Sequence, residues 1–313
     1  MFAGAPSAGH PGADHGRARR RRARSLRELL TGWAFVGPAS VIVLGLSIFP
    51  AGWSFLLGLQ SWNGFTDPVF VGGANFAEIF SDPDFLGAVE HTALYTVLFV
   101  PMSVLAGLFL AVALNRRIRL IGFYRTAIFV PFVASAAATG ILSTYLFDPQ
   151  YGLVNNVLRS LGLPTPGWLQ DQSQAMLVIA LMSLWGQAAF TTVIYLAALQ
   201  DVPGELIEAA RLDGANRWQT FWRIIWPHLS PVTVFTVIWQ TIQAIQLFDL
   251  VFTSTRGGPL GATTTIVYYV YQKAFRELQF GAGSAAALVL FALTLLITLG
   301  VVVYSRRRGM EAF

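Results

Sequence analysis

The side chains able to do covalent chemistry are few, and their spacing suits none of it. The 313-residue chain has no cysteine and four histidines, His10, His15, His91 and His228. Thiolate catalysis, disulfides and cysteine metal sites are therefore excluded, and the histidines show no metal-ligand spacing. No G-x-S-x-G presents a nucleophilic serine, and no G-x-x-x-x-G-K-[ST] cradles a nucleotide phosphate. The informative polar residues lie inside apolar runs instead. Gln240, Gln243 and Gln246 recur at every third position, followed by Asp249; a second run carries Trp185, Gln187, Thr191, Thr192 and Tyr195. Amides in such a setting face a cavity or other helices, because lipid cannot solvate them. An amide offers donors and an acceptor to a hydroxylated solute, and an aromatic face suits the C–H surface of a sugar ring. Gln240, Gln243, Gln246, Trp185 and Gln187 are thus candidates for a solute pathway. Interhelical hydrogen bonding, with threonine hydroxyls bonded one turn back, accounts for the same residues without a solute. Asp249 lies near the end of its run, where hydration alone explains it.

The elements that position these residues follow from composition. Hydrophobic residues make up 55% of the chain, charged residues 12%, and the mean hydropathy is +0.57. A soluble domain is about a quarter charged. We read an all-α integral membrane protein with six spans of about 20 apolar residues each, over 33–58, 92–114, 126–147, 176–199, 231–253 and 284–304. The membrane domain then covers 31–308, between an Arg-rich tail over 1–30, expected to be disordered, and a short tail over 309–313. Pro38 and Pro50 are expected to kink the first span, which lacks a small-residue cleavage site after it and reads as uncleaved.

The net charge of +5 and pI near 9.8 do not point to nucleic acid, because the basic residues flank the apolar runs. They concentrate in the N-terminal tail, between spans two and three (Arg116, Arg117, Arg119, Arg125), between spans four and five (Arg211, Arg217, Arg223) and at Arg306–Arg308. Only Arg159, Arg256, Lys273 and Arg276 fall on the other side. The positive-inside rule places both termini in the cytoplasm. The opposite loops, 59–90, 148–175 and 254–283, read mainly as solvated connectors, or as a docking surface for an external partner.

The segment 201–230 stands apart. Asp201 and Pro203 signal a helix start, with Glu205 in its first turn, and Gly214 signals a stop. Leu206, Ala209 and Ala210 are expected to form one small apolar face. Residues 216–226 read as a second amphipathic helix, with Phe221, Ile224 and Ile225 toward the membrane and Pro227 and Pro231 punctuating the start of span five. The run Glu208-Ala209-Ala210, Asp213-Gly214-Ala215, Phe221, Ile224 and Pro227 resembles the EAA loop of binding-protein-dependent ABC importer permeases. Phe123–Thr126 with Pro131, Phe147–Pro149 with Tyr151–Asn155, Leu196–Gln200 and Gly257–Pro259 are similar to the carbohydrate branch, of maltose and glycerol-phosphate type, over roughly 33–308. Trp226 and His228 stand where aliphatic residues are more usual.

The resemblance implies a type I ABC importer permease fold and a transport subunit without catalytic or metal-binding residues. It implies that Glu208, Ala209, Ala210, Arg211, Asp213 and Gly214 contact an ATPase through a coupling helix. ATP and Mg2+ then belong to that partner, and this chain binds no cofactor. The implied partners are a second, different permease, two ATPase subunits, an extracytoplasmic solute-binding protein and membrane lipid. An ion-coupled transporter would need carboxylates within the spans, and a membrane hydrolase a nucleophile set; neither is apparent, and both leave the EAA-like loop unexplained. The sequence does not name the solute.

Overall fold

The structure, a computed structural model, describes residues 31–116 and 119–307. The Arg-rich segment 1–30, with His10 and His15, Arg117, Arg308 and the tail 309–313 lie outside the described residues.

Two compact units divide the chain at Leu56 and Leu57. The first contains most of helix α1, Thr31–Gly58. Its backbone widens into a π turn over Leu44–Ile48, closed by a bond from the Phe49 N–H to the Leu44 carbonyl. Pro50 explains the position: it has no N–H to give and its ring crowds the carbonyl four residues back, so one wider turn before it keeps the helix running. Phe35, Val41, Leu46 and Phe49 are exposed.

The second unit begins with a short antiparallel hairpin, β1 (Gln60–Ser61) and β2 (Val69–Phe70), pairing Gln60 with Phe70. Helix α2 (Ala74–Ser81) follows, then the long α3 (Pro83–Leu114). Asp82 caps α3, accepting the Asp84 N–H at 2.9 Å, with Pro83 in the first turn where its missing N–H costs nothing. The third apolar run is two helices, α4 (Ile121–Val133) and α5 (Ala136–Leu146), bent by 99°. The span expected over 126–147 is thus broken in its middle. Pro131 removes a helical donor, Ala134 and Ser135 turn extended, and the Ser135 hydroxyl caps α5 by accepting the Ala138 N–H at 3.1 Å.

Helix α6 (Leu153–Ser160) and α7 (Ala175–Asp201) lead to α8 (Gly204–Leu212). The chain then runs through α9 (Arg217–Thr220), a π turn over Phe221–Ile225, α10 (Trp226–Ile245) and α11 (Asp249–Thr253). The separate amphipathic helix expected over 216–226 is instead continuous with span five. Pro227 does not break it, because the Trp226 N–H reaches back to the Phe221 carbonyl; the spacing to proline is the same as at Pro50. Helix α12 (Ile266–Tyr271), a third π turn and α13 (Phe280–Arg307) complete the chain.

The core sits where α3, α7 and α10 meet, around Phe99, Val104, Ile179, Tyr195, Leu229 and Ala244. Gly107 lets α3 approach α7: a side chain there would collide with Thr191. A second cluster joins α2, α3, α12 and α13 through Ile79, Phe85, Ile266, Tyr269 and Ala285.

The connectors expected to be solvated contain buried polar nodes. Asn75 donates to the Gly58 and Gln60 carbonyls at 2.8 and 2.9 Å. Asn155 is fully buried; it donates to the Pro149 and Pro166 carbonyls and accepts the Trp168 indole N–H at 2.6 Å.

Candidate functional site

Two places in the second unit gather the sequence candidates. The first is a cavity of about 210 Å³ in the helix bundle. Tyr95 and Phe99 line it from α3, Phe132 and Thr139 from either side of the 99° bend, Ser183 and Gln187 from α7. Gln243 and Gln246 reach it from the end of α10, with Phe248 and Asp249 from the break beyond. Both breaks therefore face one cavity. At the α10 break, the freed Leu247 carbonyl accepts the Thr265 hydroxyl at 2.8 Å, so that acceptor is not stranded. Amides, hydroxyls and aromatic rings around one hollow can bind a neutral hydroxylated molecule. Among the described residues, no group of His, Asp or Glu is arranged to hold a metal ion.

Of the sequence candidates, Gln187, Gln243 and Gln246 come together here. Gln240 and Trp185 do not. Trp185 is 44% exposed and stands apart from the cavity lining. Gln240 is fully buried; its amide donates to the Ser103 hydroxyl at 2.8 Å and the Thr191 hydroxyl at 2.7 Å, and those hydroxyls lie 3.1 Å apart. It ties α10 to α3 and α7. The geometric reason is the helical period: three residues turn about 300°, so the stripe drifts by about 60° per step. Gln240 and Gln246 thus point about 120° apart. Tyr95, Ser183 and Thr139 escaped the sequence reading; only the bend, signalled by Pro131 and Ser135, would have indicated that α5 returns to this place.

The second place is α8, at one end of the unit. Its stop is set by Gly214, with φ of +82°. The Gly214 N–H bonds the Arg211 carbonyl and the Ala215 N–H the Ala210 carbonyl, at 3.1 and 2.9 Å; this is the Schellman arrangement, which needs a left-handed residue there. Asn216 then starts α9 in a capping box with Gln219. Glu208, Ala209, Arg211, Asp213 and Gly214 are exposed, as are Leu206 at 50% and Leu212 at 89%. Ala210 is buried, because the chain folds back over it after Gly214. The single face expected from Leu206, Ala209 and Ala210 is thereby divided, with Ala210 inward and the other two outward.

At the opposite end, α12 is tied to the start of α3. Tyr269 donates to Asp82 at 2.7 Å, and Lys273 lies 3.5 Å from Asp82 and 3.0 Å from Glu277. Burial alone would raise the Asp82 carboxyl; the bonds from Tyr269 and the Asp84 N–H, with the Lys273 charge, bring it below its ordinary value. Burial opposes the Lys273 charge, but Glu277 and Asp82 outweigh it and raise the ammonium above its ordinary value.

The family model of the binding-protein-dependent transport system inner membrane component matches residues 103–309. The lactose transport system permease protein LacF of Rhizobium radiobacter is 35% identical over 273 residues, covering 86% of this chain and 90% of that one. The sn-glycerol-3-phosphate transport system permease protein UgpA of Agrobacterium fabrum is 35% identical over 232 residues, 73% of this chain and 78% of that one. A permease chain in the crystal structure of a bacterial alginate ABC transporter, in complex with alginate pentasaccharide-bound periplasmic protein, superposes with a TM-score of 0.80. That match covers 93% of this chain and 99% of the other at 21% identity, and it establishes the fold. With long apolar helices, a type I importer fold and a family model across two thirds of its length, the chain belongs to the binding-protein-dependent transport system inner membrane components, the multi-pass permease subunits of ABC transporters.

Proposed function

We propose that this permease imports a sugar or related solute, of oligosaccharide, polyol or glycerol-phosphate type, delivered by an extracytoplasmic binding protein. The observation that carries the reading is the cavity, where Gln187, Gln243 and Gln246 stand among Tyr95, Phe99, Phe132 and Phe248. Amides matched to hydroxyls and rings matched to C–H faces suit such a solute. The lactose and glycerol-phosphate systems of the relatives agree with that class.

The chain works beside a second, different permease and two ATPase subunits, with both termini in the cytoplasm. Helix α8 is the coupling element. Glu208, Ala209, Arg211, Asp213 and Gly214 meet a cleft in the ATPase, and buried Ala210 fixes the helix to its own subunit. ATP-driven closure of the ATPase pair draws the two coupling helices together and opens the cavity outward; hydrolysis with Mg2+ on that partner resets it. The differential contact of α8 in the two ATPase states supplies the free energy of the switch.

The test is affinity purification of the chain from native membranes in mild detergent, as wild type, Glu208→Lys and Gly214→Asp. The expected result is an ATPase that accompanies the wild type and is lost, or hydrolyses ATP without solute, in the variants. A wild-type chain purified without any ATPase overturns the reading.

A further inference from the structure

The transport reading gives no role to the one carboxylate in the cavity wall. In the sequence, hydration at the end of an apolar run is explanation enough for Asp249. The structure sets it elsewhere: Asp249 opens α11 just past the break that ends α10, and it lines the cavity beside Phe248. Its side chain is exposed, and among the described residues no hydrogen bond or ion pair engages its carboxylate. Gln243 and Gln246 are exposed as well, and neither their amides nor that of Gln187 are held by another side chain or by backbone among the described residues. Three amides and a carboxylate with unspent hydrogen-bonding capacity therefore face one hollow.

The charge balance of that hollow is one-sided. No Lys, Arg or His lines it, and Asp249 is its only ionisable group besides Tyr95. A phosphate or carboxylate entering it gives up water, finds no cation and meets a like charge. At an effective dielectric of about 20, like charges about 6 Å apart repel enough to weaken binding on the order of 100-fold. Asp249 is exposed, and salt screens exposed charges, so a penalty of about tenfold remains. The N-terminus of α5 also opens on the cavity at Ala136 and attracts an anion with about half a charge. Ser135 already accepts the Ala138 N–H there, and Asp249 opposes the rest with a full charge. A hydroxylated solute without charge meets no such penalty, and a carboxylate offers it two acceptor oxygens.

We propose that Asp249 makes this cavity selective against anions: its two oxygens accept a pair of neighbouring hydroxyls, and its charge turns phosphate esters and sugar acids away. The inference rests on the transport reading and narrows it to uncharged oligosaccharides and polyols, leaving out the glycerol-phosphate type.

The test uses the complex that co-purifies with this chain from native membranes, as wild type, Asp249→Asn and Gln246→Glu. Affinity is read from the shift in melting temperature with two pairs of probes, each pair differing in charge: lactose with lactobionate, and glycerol with glycerol 3-phosphate. The wild type should bind the neutral member of at least one pair, and its anionic partner at least tenfold more weakly. Asp249→Asn keeps the shape and one acceptor oxygen, so the solute-free complex should melt near the wild-type temperature while the gap within the pair shrinks about tenfold. Gln246→Glu adds a second carboxylate to the wall and should widen the gap by a similar factor. A merely structural role for Asp249 would move both members of a pair together. A wild type that binds the anionic member as tightly as the neutral one overturns the inference and leaves the transport reading standing; a cation supplied by the second permease would give that result. A gap unchanged in Asp249→Asn also overturns it. Binding of neither member of either pair removes the cavity as a solute site, and the inference with it.

Discussion

Gln240→Leu separates two roles that a glutamine in a transporter span can play. In the structure its amide bridges Ser103 and Thr191 at 2.8 and 2.7 Å, and its other atom, Oε1, is buried with no partner. Hydrogen bonds between membrane helices average about 0.6 kcal/mol, so two are worth about 1.2 kcal/mol. Leucine forfeits them but also removes the unpartnered acceptor, and Ser103 and Thr191 keep each other at 3.1 Å. The expected loss is therefore about 1 kcal/mol or less. The reverse perturbation is worse: Ser103→Ala with Thr191→Val strands the whole amide in the core, at about 2–3 kcal/mol. Adding Gln240→Leu to that pair should restore most of the loss. Thermal unfolding in detergent, compared across the three variants, reads these differences. Solute uptake in proteoliposomes reads the second role. Gln240→Leu should leave half-saturation unchanged, whereas Gln243→Leu or Gln246→Leu should raise it about tenfold for each lost bond of about 1.4 kcal/mol. If Gln240→Leu weakens uptake as Gln243→Leu does, or if the triple variant is no better than the pair, the reasoning fails.

Gly107→Val should force α3 from α7 at Thr191 and cost about 3 kcal/mol or more, read as lost thermal stability, with Gly186→Ala, whose Cβ meets open space, near wild type. The Asp82–Lys273–Tyr269 cluster should give a pH window. The lowered Asp82 stabilises the fold above its unfolded value near 3.9, and that share is lost as pH falls through the lower folded value. The raised Lys273 stabilises below its unfolded value near 10.4, and that share is lost as pH rises through the higher folded value. Melting profiles should thus be flat between about pH 5 and 9 in this respect, and Asp82→Asn should remove its share of the acid limb.

The long apolar runs were legible because lipid demands about 20 apolar residues of every crossing helix. So was the stop at Gly214, since a left-handed turn needs a glycine. The third run hid its bend because proline is tolerated in membrane helices; the capping serine at position 135 was the overlooked signal. Pro227 misled in the opposite sense, since a π turn carries the helix through it. The glutamine stripe was visible as a period of three, but its division between core and cavity depends on drift of the helix face and on where α3 and α7 pack. Asn75 and Asn155 lay in segments read as connectors, because their amides donate to backbone carbonyls, which a sequence does not mark.

The docking of α8 on an ATPase is tested most directly by photocrosslinking from a p-benzoylphenylalanine placed at Leu212, with Leu260 as control. Both positions are 89% exposed, at opposite ends of the second unit. In native membranes, the account predicts an adduct from position 212 with a nucleotide-hydrolysing subunit and no such adduct from position 260. The absence of that adduct at 212, or the same adduct from both positions, contradicts it.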